Sequence, residues 1–380
     1  MIYLDNAATT PLDPRVAKAM SQFLSSCYGN PSNKFYEQAE TAKKTVNEAR
    51  KSIASFLDCK ENEIIFTSSA TESNNKVIKG MAFPFIHSEE KVHLITSKAE
   101  HKATLECCRT LEKFGVDVTY LNTDQYGCVS LSDLKTALSK DTKLVSLIWG
   151  NNELGSVNPV EEIGSYLRQQ KIPFHVDGTQ VYGKFKIKLS KLPIDFLSFS
   201  GHKVYGPKGV GGCFIKRDRY DLLPPLEPLI HGGQQEFGIR AGTESTHNIL
   251  GLKTATEIAA KEMEDYIPRI MSLEKLFLEE LHKKIPSAII NSPDDLKVPG
   301  ILSITIPELN SELFLKWASK DFALSAGSAC ALGESSHVLK AIGKERYGDS
   351  TLRVSIGKYN AESVINLVGA INKFFDEFTI

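Results

Sequence analysis

Seven short apolar runs constrain this chain more than any other feature: EIIFT (63–67), VHLIT (92–96), VDVTYL (116–121), KLVSLIW (143–149), PFHVD (173–177), DFLSFS (195–200) and GGCFIK (211–216). Each is bounded by polar or turn residues and carries the β-branched and aromatic side chains that favour strands. Helical patterns lie between several of them, such as AETAKKTVNEARKSIASFL (39–57) and TLECCRTLEKFG (104–115). Strands that are apolar on both faces and separated by helices imply an α/β fold with a mainly parallel sheet. In such sheets ligands gather beyond the carboxyl ends of the strands. The residues just after each run are therefore where chemistry is expected.

After about residue 250 the texture changes. A long helical stretch (250–285) leads to ILSITIP (301–307), a helix near 311–318, a loop near 325–336, TLRVSIG (351–357) and a helical tail, 361–378. This reads as a second, smaller α+β domain. The 380-residue chain is 42% hydrophobic and 24% charged with a net charge of −1. It is long enough for two or three domains, and it has neither the basic excess of a nucleic-acid binder nor the acidic excess of a solvating tail. The start, MIYLDNAATTPLDP, lacks the basic and apolar regions of a signal peptide. No apolar run approaches the roughly 20 residues of a membrane span. A cytoplasmic location is the expectation, with no membrane or direct nucleic-acid partner. The seven cysteines are odd in number and form no CxxC pair, so neither a disulfide framework nor a metal site is expected.

The strand ends carry unusual residues. FTSSATESNN (66–75) runs from a strand into small hydroxyl residues at a helix start, which suits either a phosphate or a plain N-cap. PFHVDGTQ puts Asp177 at a strand end, with Gln180 three residues on. A buried carboxylate there needs a metal, an arginine, a protonated ring nitrogen or a helix terminus to cap. His101, in KAEHKATLECC, and Asn151, Asn152 and Glu153, in WGNNELGSVNPV, follow two further strands. SFSGHKVYGPKG (198–209) places Ser200, His202 and Lys203 at another. A lysine desolvated at such an edge is a candidate for Schiff-base chemistry. An amine, an acid and an anion cup together match the needs of pyridoxal 5′-phosphate. A nucleotide fits less well, because no GxGxxG or GxxxxGK[ST] follows a strand. In LSAGSACALGESSHVL (324–339), Cys330 sits among Ser, Ala and Gly. It is a nucleophile, a loop anchor or a chance surface thiol.

At these residues the chain resembles the cysteine desulfurases, the NifS/IscS-like group of the class-V pyridoxal-phosphate-dependent aminotransferase family. The resemblance covers almost the whole length: YLDNAATTP, YGNPS, FTSSATESNN, EHKA, NNELG, HVDGTQ, SGHKVYGPKG, GIRAGTES, SAGSACA and LRVSIGK. It implies fold type I, the aspartate-aminotransferase architecture: a large domain (16–255) with a mainly parallel central sheet and a discontinuous small domain (1–15 and 256–380) carrying the cysteine loop (325–336). It also implies a homodimer with each active site near the subunit interface. By resemblance, Lys203 is the Schiff-base lysine, Asp177 the partner of the pyridinium, Gln180 the donor to the ring hydroxyl, and His101 the imidazole stacked on the ring and involved in proton transfer. Ala70, Thr71, Ser200 and His202 form the phosphate cup, with Thr243 supplied by the other subunit. Asn152 and Arg353 clamp the substrate carboxylate, and Cys330 carries the persulfide. The family often has GNPSS followed shortly by a histidine, whereas this chain has GNPSNKFYEQ; the stretch from Cys330 to HVL is about two residues shorter than in housekeeping members. The implied reaction turns L-cysteine into L-alanine, with sulfur passing to Cys330 and then to an acceptor protein. Selenocysteine lyases and other aminotransferases on the same scaffold are the alternatives.

Overall fold

The structure, a computed structural model, describes residues 1–326 and 336–378. Cys330 and most of the expected cysteine loop lie outside the described residues. The chain opens with β1 (Ile2–Tyr3), α1 (Pro14–Ser26) and α2 (Glu37–Leu57). It continues through β2 (Ile64–Thr67), α3 (Ala70–His87), β3 (His93–Ser97), α4 (Lys102–Glu112), β4 (Asp117–Leu121), α5 (Leu131–Ala137), β5 (Thr142–Ile148), α6 (Val160–Gln170), β6 (Phe174–Asp177), β7 (Phe196–Ser200) and β8 (Gly211–Ile215). A long α7 (Thr246–Lys284) leads to β9 (Ile289–Ile290), β10 (Ile301–Thr305), α8 (Ser311–Ala318), β11 (Phe322–Ala323), β12 (Ser325–Ala326), α9 (His337–Ala341), β13 (Thr351–Ser355) and α10 (Asn366–Phe378).

All seven expected runs become strands of one sheet, in the order β2-β8-β7-β6-β5-β3-β4. β3 to β7 pair in parallel. β8 is antiparallel to both its neighbours, so β2 again points the same way as β7. Most of the runs are nearly continuously apolar because both faces are covered; β4, at the sheet edge, is exposed at Asp117 and only half-buried at Val118, Thr119 and Tyr120. Ile64 and Phe66 of β2 and Leu197 and Phe199 of β7 join one layer with α2 and the start of α7. Ile65 and Phe196 face the other way, onto α3 and α4. That is the two-residue period of a strand seen from both sides.

A smaller antiparallel sheet, β12-β13-β10-β9, stands apart. β10 ends at Thr305, short of the expected 307, because its partner β13 begins only at Thr351 and Pro307 has no N–H to donate. The expected tail helix is a 3₁₀ turn (Glu362–Ile365) followed by α10. β1 pairs in parallel with β11, and Asp5 bridges to Ser355. The first residues of the chain thus lie against its last strands. α7 serves both cores: Ala255 and Ala259 pack with the large sheet, whereas Met263, Tyr266 and Ile270 pack with β10 and β13. Among the described residues no helix is long and apolar enough to cross a membrane.

Candidate active site

The carboxyl ends of β2, β3, β5, β6 and β7 surround a cavity of about 290 Å³. At β2, Ser69 caps α3, its hydroxyl accepting the Glu72 N–H at 3.3 Å. Ala70 and Thr71 then line the cavity with the open first turn of the helix. Glycine makes this approach possible: a Cβ on Gly211 would sit 2.6 Å from the Phe199 carbonyl oxygen and 2.8 Å from the Ser69 carbonyl carbon. At β7, Ser200 is buried and its hydroxyl has no partner among the described residues. A buried hydroxyl facing a cavity without a partner marks a place for a polar ligand atom. His202 follows, its Nδ1 3.2 Å from the Thr9 hydroxyl, with its pKa pushed down to about 4 by burial and then by the neighbouring Lys203 charge.

Lys203 closes the 3₁₀ turn after β7. Its Nζ donates to the carbonyl oxygens of Ala7 and Ala8, the latter at 2.8 Å. Burial, then the positive charges of Arg353 and Lys184, lower its pKa to about 7. A large fraction of the amine is therefore neutral near neutral pH, as a nucleophile or base requires. Asp177 ends β6. Its Oδ2 accepts from Asn74 Nδ2 at 2.7 Å, and its Oδ1 from the Thr179 N–H at 3.0 Å and from the Thr179 hydroxyl. Gln180 donates Nε2 to the Ala7 carbonyl at 2.8 Å, while its Oε1 is buried with no partner among the described residues.

His101 is the N-cap of α4, its Nδ1 accepting the Ala103 N–H at 3.1 Å. Accepting at Nδ1 leaves the proton of the neutral ring on Nε2. Protonation of the ring would break the cap. Desolvation, followed by the positive charges of Lys203, His337 and Lys102, lowers its pKa, while Asp177 opposes the shift.

The other wall is built from distant parts of the chain. Arg353, on β13, is only 2% exposed. Its Nη2 donates to Asp5 Oδ1 at 2.9 Å and Ser325 Oγ at 3.2 Å, and its Nη1 to the Asn152 carbonyl at 3.2 Å. Its Nε is buried with no partner among the described residues. Asn152, Glu153 and His337 line the same wall. Glu153 is buried, and desolvation pushes its pKa up to about 7 against the opposing hydrogen bond from Ser336 and the charge of Arg353. Glu100, buried behind His101, is raised to about 8 by the same cause, although it accepts from Ser97 Oγ and the Ile148 N–H.

Ten of the twelve expected site residues therefore line one cavity: Ala70, Thr71, His101, Asn152, Asp177, Gln180, Ser200, His202, Lys203 and Arg353. Thr243 is exposed and lies outside its walls. Cys330 falls outside the described residues. Sequence reading did not assign roles to Asn74, Thr179, Asp5, Ser325, Ser336 and His337. Asn74 had a signal, since it lies one helical turn beyond Ala70 on the face of α3 that looks back at the sheet. Cys107, Cys108 and Cys213 are buried, as expected from their places in helix and strand. Burial pushes the Cys107 and Cys213 thiols up to about 12, so they resist forming the thiolate.

The aminotransferase class-V family model matches residues 2–368. The chain belongs to this family, in its cysteine desulfurase group. It is 41% identical over 370 residues to cysteine desulfurase IscS of Pseudoalteromonas translucida, covering 96% of this chain and 90% of that protein. A solved NifS-like protein superposes with a TM-score of 0.90 at 34% identity, covering 99% of this chain and 100% of the other. A structure described as SspA in complex with cysteine gives a TM-score of 0.82 at 37% identity, covering 95% of this chain and 100% of that one. The family's cofactor is pyridoxal 5′-phosphate, and the cavity suits it: a buried amine, a carboxylate held by Asn74 and Thr179, and unpartnered buried polar atoms on Ser200 and Gln180.

Proposed function

We propose that this chain converts L-cysteine to L-alanine and leaves the sulfur as a persulfide on its own Cys330, for delivery to an acceptor protein. The observation that carries the reading is the convergence, in one cavity, of Lys203 with its pKa near 7, the braced Asp177 carboxylate and the unpartnered Nε of buried Arg353. Pyridoxal phosphate, when bound, supplies an electron sink that acidifies the substrate's Cα proton.

The chain's own residues do the rest. Ser200, His202, Ala70 and Thr71 hold the phosphate, with the open N–H groups of α3 facing it. Asp177 holds the ring nitrogen in its protonated form. Gln180 faces the ring hydroxyl. Arg353 and Asn152 bind the substrate carboxylate, which suits the free Nε of a guanidinium already braced by Asp5. Lys203 Nζ takes the Cα proton and returns it to the product. His101, neutral with its proton on Nε2, covers the ring and is placed to pass a proton. Cys330 loses its thiol proton and attacks the substrate sulfur. The carbon–sulfur bond of the substrate breaks and a sulfur–sulfur bond forms, so cysteine plus enzyme thiol becomes alanine plus enzyme persulfide, with atoms and electrons balanced.

The same reading divides the chain into a large domain, 16–255, and a small one, 1–15 and 256–380. The passage of α7 from one core to the other between Ala259 and Met263, and the pairing of β1 with β11, support it. It also makes the working unit a homodimer, because exposed Thr243 then completes the phosphate cup of a second copy. A reducing, cytoplasmic setting fits a thiol nucleophile, and the six described cysteines are free. The purified protein should release alanine and, with a reductant, sulfide from L-cysteine in equal amounts. Alanine without sulfide, or neither product from cofactor-loaded protein, overturns the reading.

A further inference from the structure

Two side chains tie the sequence just beyond Cys330 to the substrate wall. Ser336, six positions after Cys330, is the N-cap of α9. Its hydroxyl oxygen accepts the Val338 and Leu339 N–H groups, each at 3.1 Å. With its lone pairs so engaged, the hydroxyl hydrogen is free to donate, and it donates to Glu153 Oε2. Both residues are buried. One residue further on, His337 Nε2 donates to the Glu100 carbonyl at 2.8 Å. Val338 packs into a small apolar cluster with Ala99 and Leu154.

Glu153 is itself rigidly placed. Asn151 Oδ1 accepts the Glu153 and Leu154 N–H groups at 2.8 and 2.9 Å, and Asn151 Nδ2 donates to the Ala99 carbonyl at 2.9 Å. The preceding side of the cysteine is tied to the same wall. Ser325 pairs with Arg353 across the β12–β13 ladder, accepts from Arg353 Nη2 and donates to Asp5 Oδ1 at 2.8 Å. Ser325, five positions before Cys330, and Ser336, six after it, are thus both tied to the wall that carries Arg353 and Glu153.

We propose that Glu153 and Ser336 act as a positioning pair that sets where Cys330 meets the substrate sulfur. The proposal rests on the assignment of Cys330 as the nucleophile. Neither residue touches the reacting atoms. Their effect falls on the approach of the thiol, not on cofactor or cysteine binding.

The test is single-turnover persulfide formation in the cofactor-loaded protein, with cofactor content and KM for L-cysteine measured in parallel. Glu153→Ala and Ser336→Ala should each slow persulfide formation by about 10- to 100-fold, the scale of misplacing a reacting group by about 1 Å. KM should stay within about twofold and cofactor content should be unchanged. Ser336→Thr, which keeps the hydroxyl, should restore most of the rate. The double variant should be no slower than the slower single one, as for two residues acting as a unit. Wild-type persulfide rates in Glu153→Ala, or a loss shared equally by KM and cofactor content, overturn the proposal. Cys330→Ser separates the two claims: if that variant is dead while Glu153→Ala runs at the wild-type rate, the positioning pair alone is wrong. If Cys330→Ser still forms persulfide, the nucleophile assignment beneath it is wrong.

Discussion

The two walls of the cavity are built by different means. On the cofactor wall, Asp177, Ser200, His202 and Lys203 follow directly from strands β6 and β7, and their partners Asn74 and Thr179 lie on the adjoining α3 and the next turn. On the substrate wall, Asp5, Asn152, Glu153, Ser325, Ser336 and Arg353 come from five separate stretches of chain and meet only because the small sheet is seated over the large one. The first wall is made by local sequence at a sheet edge. The second is made by assembly. A reaction that must grip a cofactor permanently and a substrate briefly is served by that contrast: a fixed wall for the one, and for the other a wall assembled from elements distant in sequence.

Changes on the cofactor wall should therefore cost turnover, and changes to the carboxylate-binding groups of the substrate wall, Arg353 and Asn152, should cost affinity; Glu153 and Ser336, which act on the approach of the thiol, should leave affinity alone. The largest effect is expected from Lys203→Ala. One amine serves as nucleophile and base, so turnover should fall by about 10⁴-fold or more; alanine release at a tenth of the wild-type rate would show that another group does its work. The same amine gives a pH signature. Uptake of pyridoxal phosphate by the cofactor-free protein should rise as pH passes through about 7, where Lys203 loses its proton. Uptake that rises only near the ordinary lysine range would mean that burial does not control the amine.

Next comes Asp177→Ala. Losing a charge-assisted contact to a buried ring nitrogen, worth up to about 3 kcal/mol, should slow Cα deprotonation by about 100-fold with cysteine binding little changed. A matching rise in KM would erase the distinction between the walls. A smaller effect is expected from Arg353→Gln, which removes a charged donor of about 1.5 kcal/mol and should raise KM for cysteine about 10-fold. A fall in turnover at saturating cysteine, with KM unchanged, would move Arg353 to the other side of the comparison.

The same contrast explains what was legible in the sequence. The seven runs read correctly as strands, the edge strand β4 through its valine and threonine and the others because burial on both faces leaves a nearly continuous pattern, and the residues after several of them became the cofactor wall without any knowledge of the third dimension. His101 read correctly as a residue just past a strand, and its capping bond to Ala103 explains why that position also fixes the ring. The pairing of Asp5 with Arg353 was not legible, because it joins residues at opposite ends of the chain through a register between β13 and the first residues. Ser336 was given no role by the sequence; it caps α9, and nothing local says that its spare hydrogen points at Glu153. Arg353 itself entered only through resemblance, since an arginine in a strand carries no mark of its partner.

The central claim is that sulfur leaves cysteine onto Cys330. Cys107, Cys108 and Cys213 are buried, and burial raises the pKa of Cys59 and Cys128 as well. The direct measurement is a persulfide-labelling mass spectrum of the cofactor-loaded protein after incubation with L-cysteine, set beside that of Cys330→Ser. The account predicts one label, on the peptide carrying Cys330, absent from the variant, while the variant still binds cofactor and cysteine. A label on any other cysteine, or undiminished sulfide release by the variant, would contradict it.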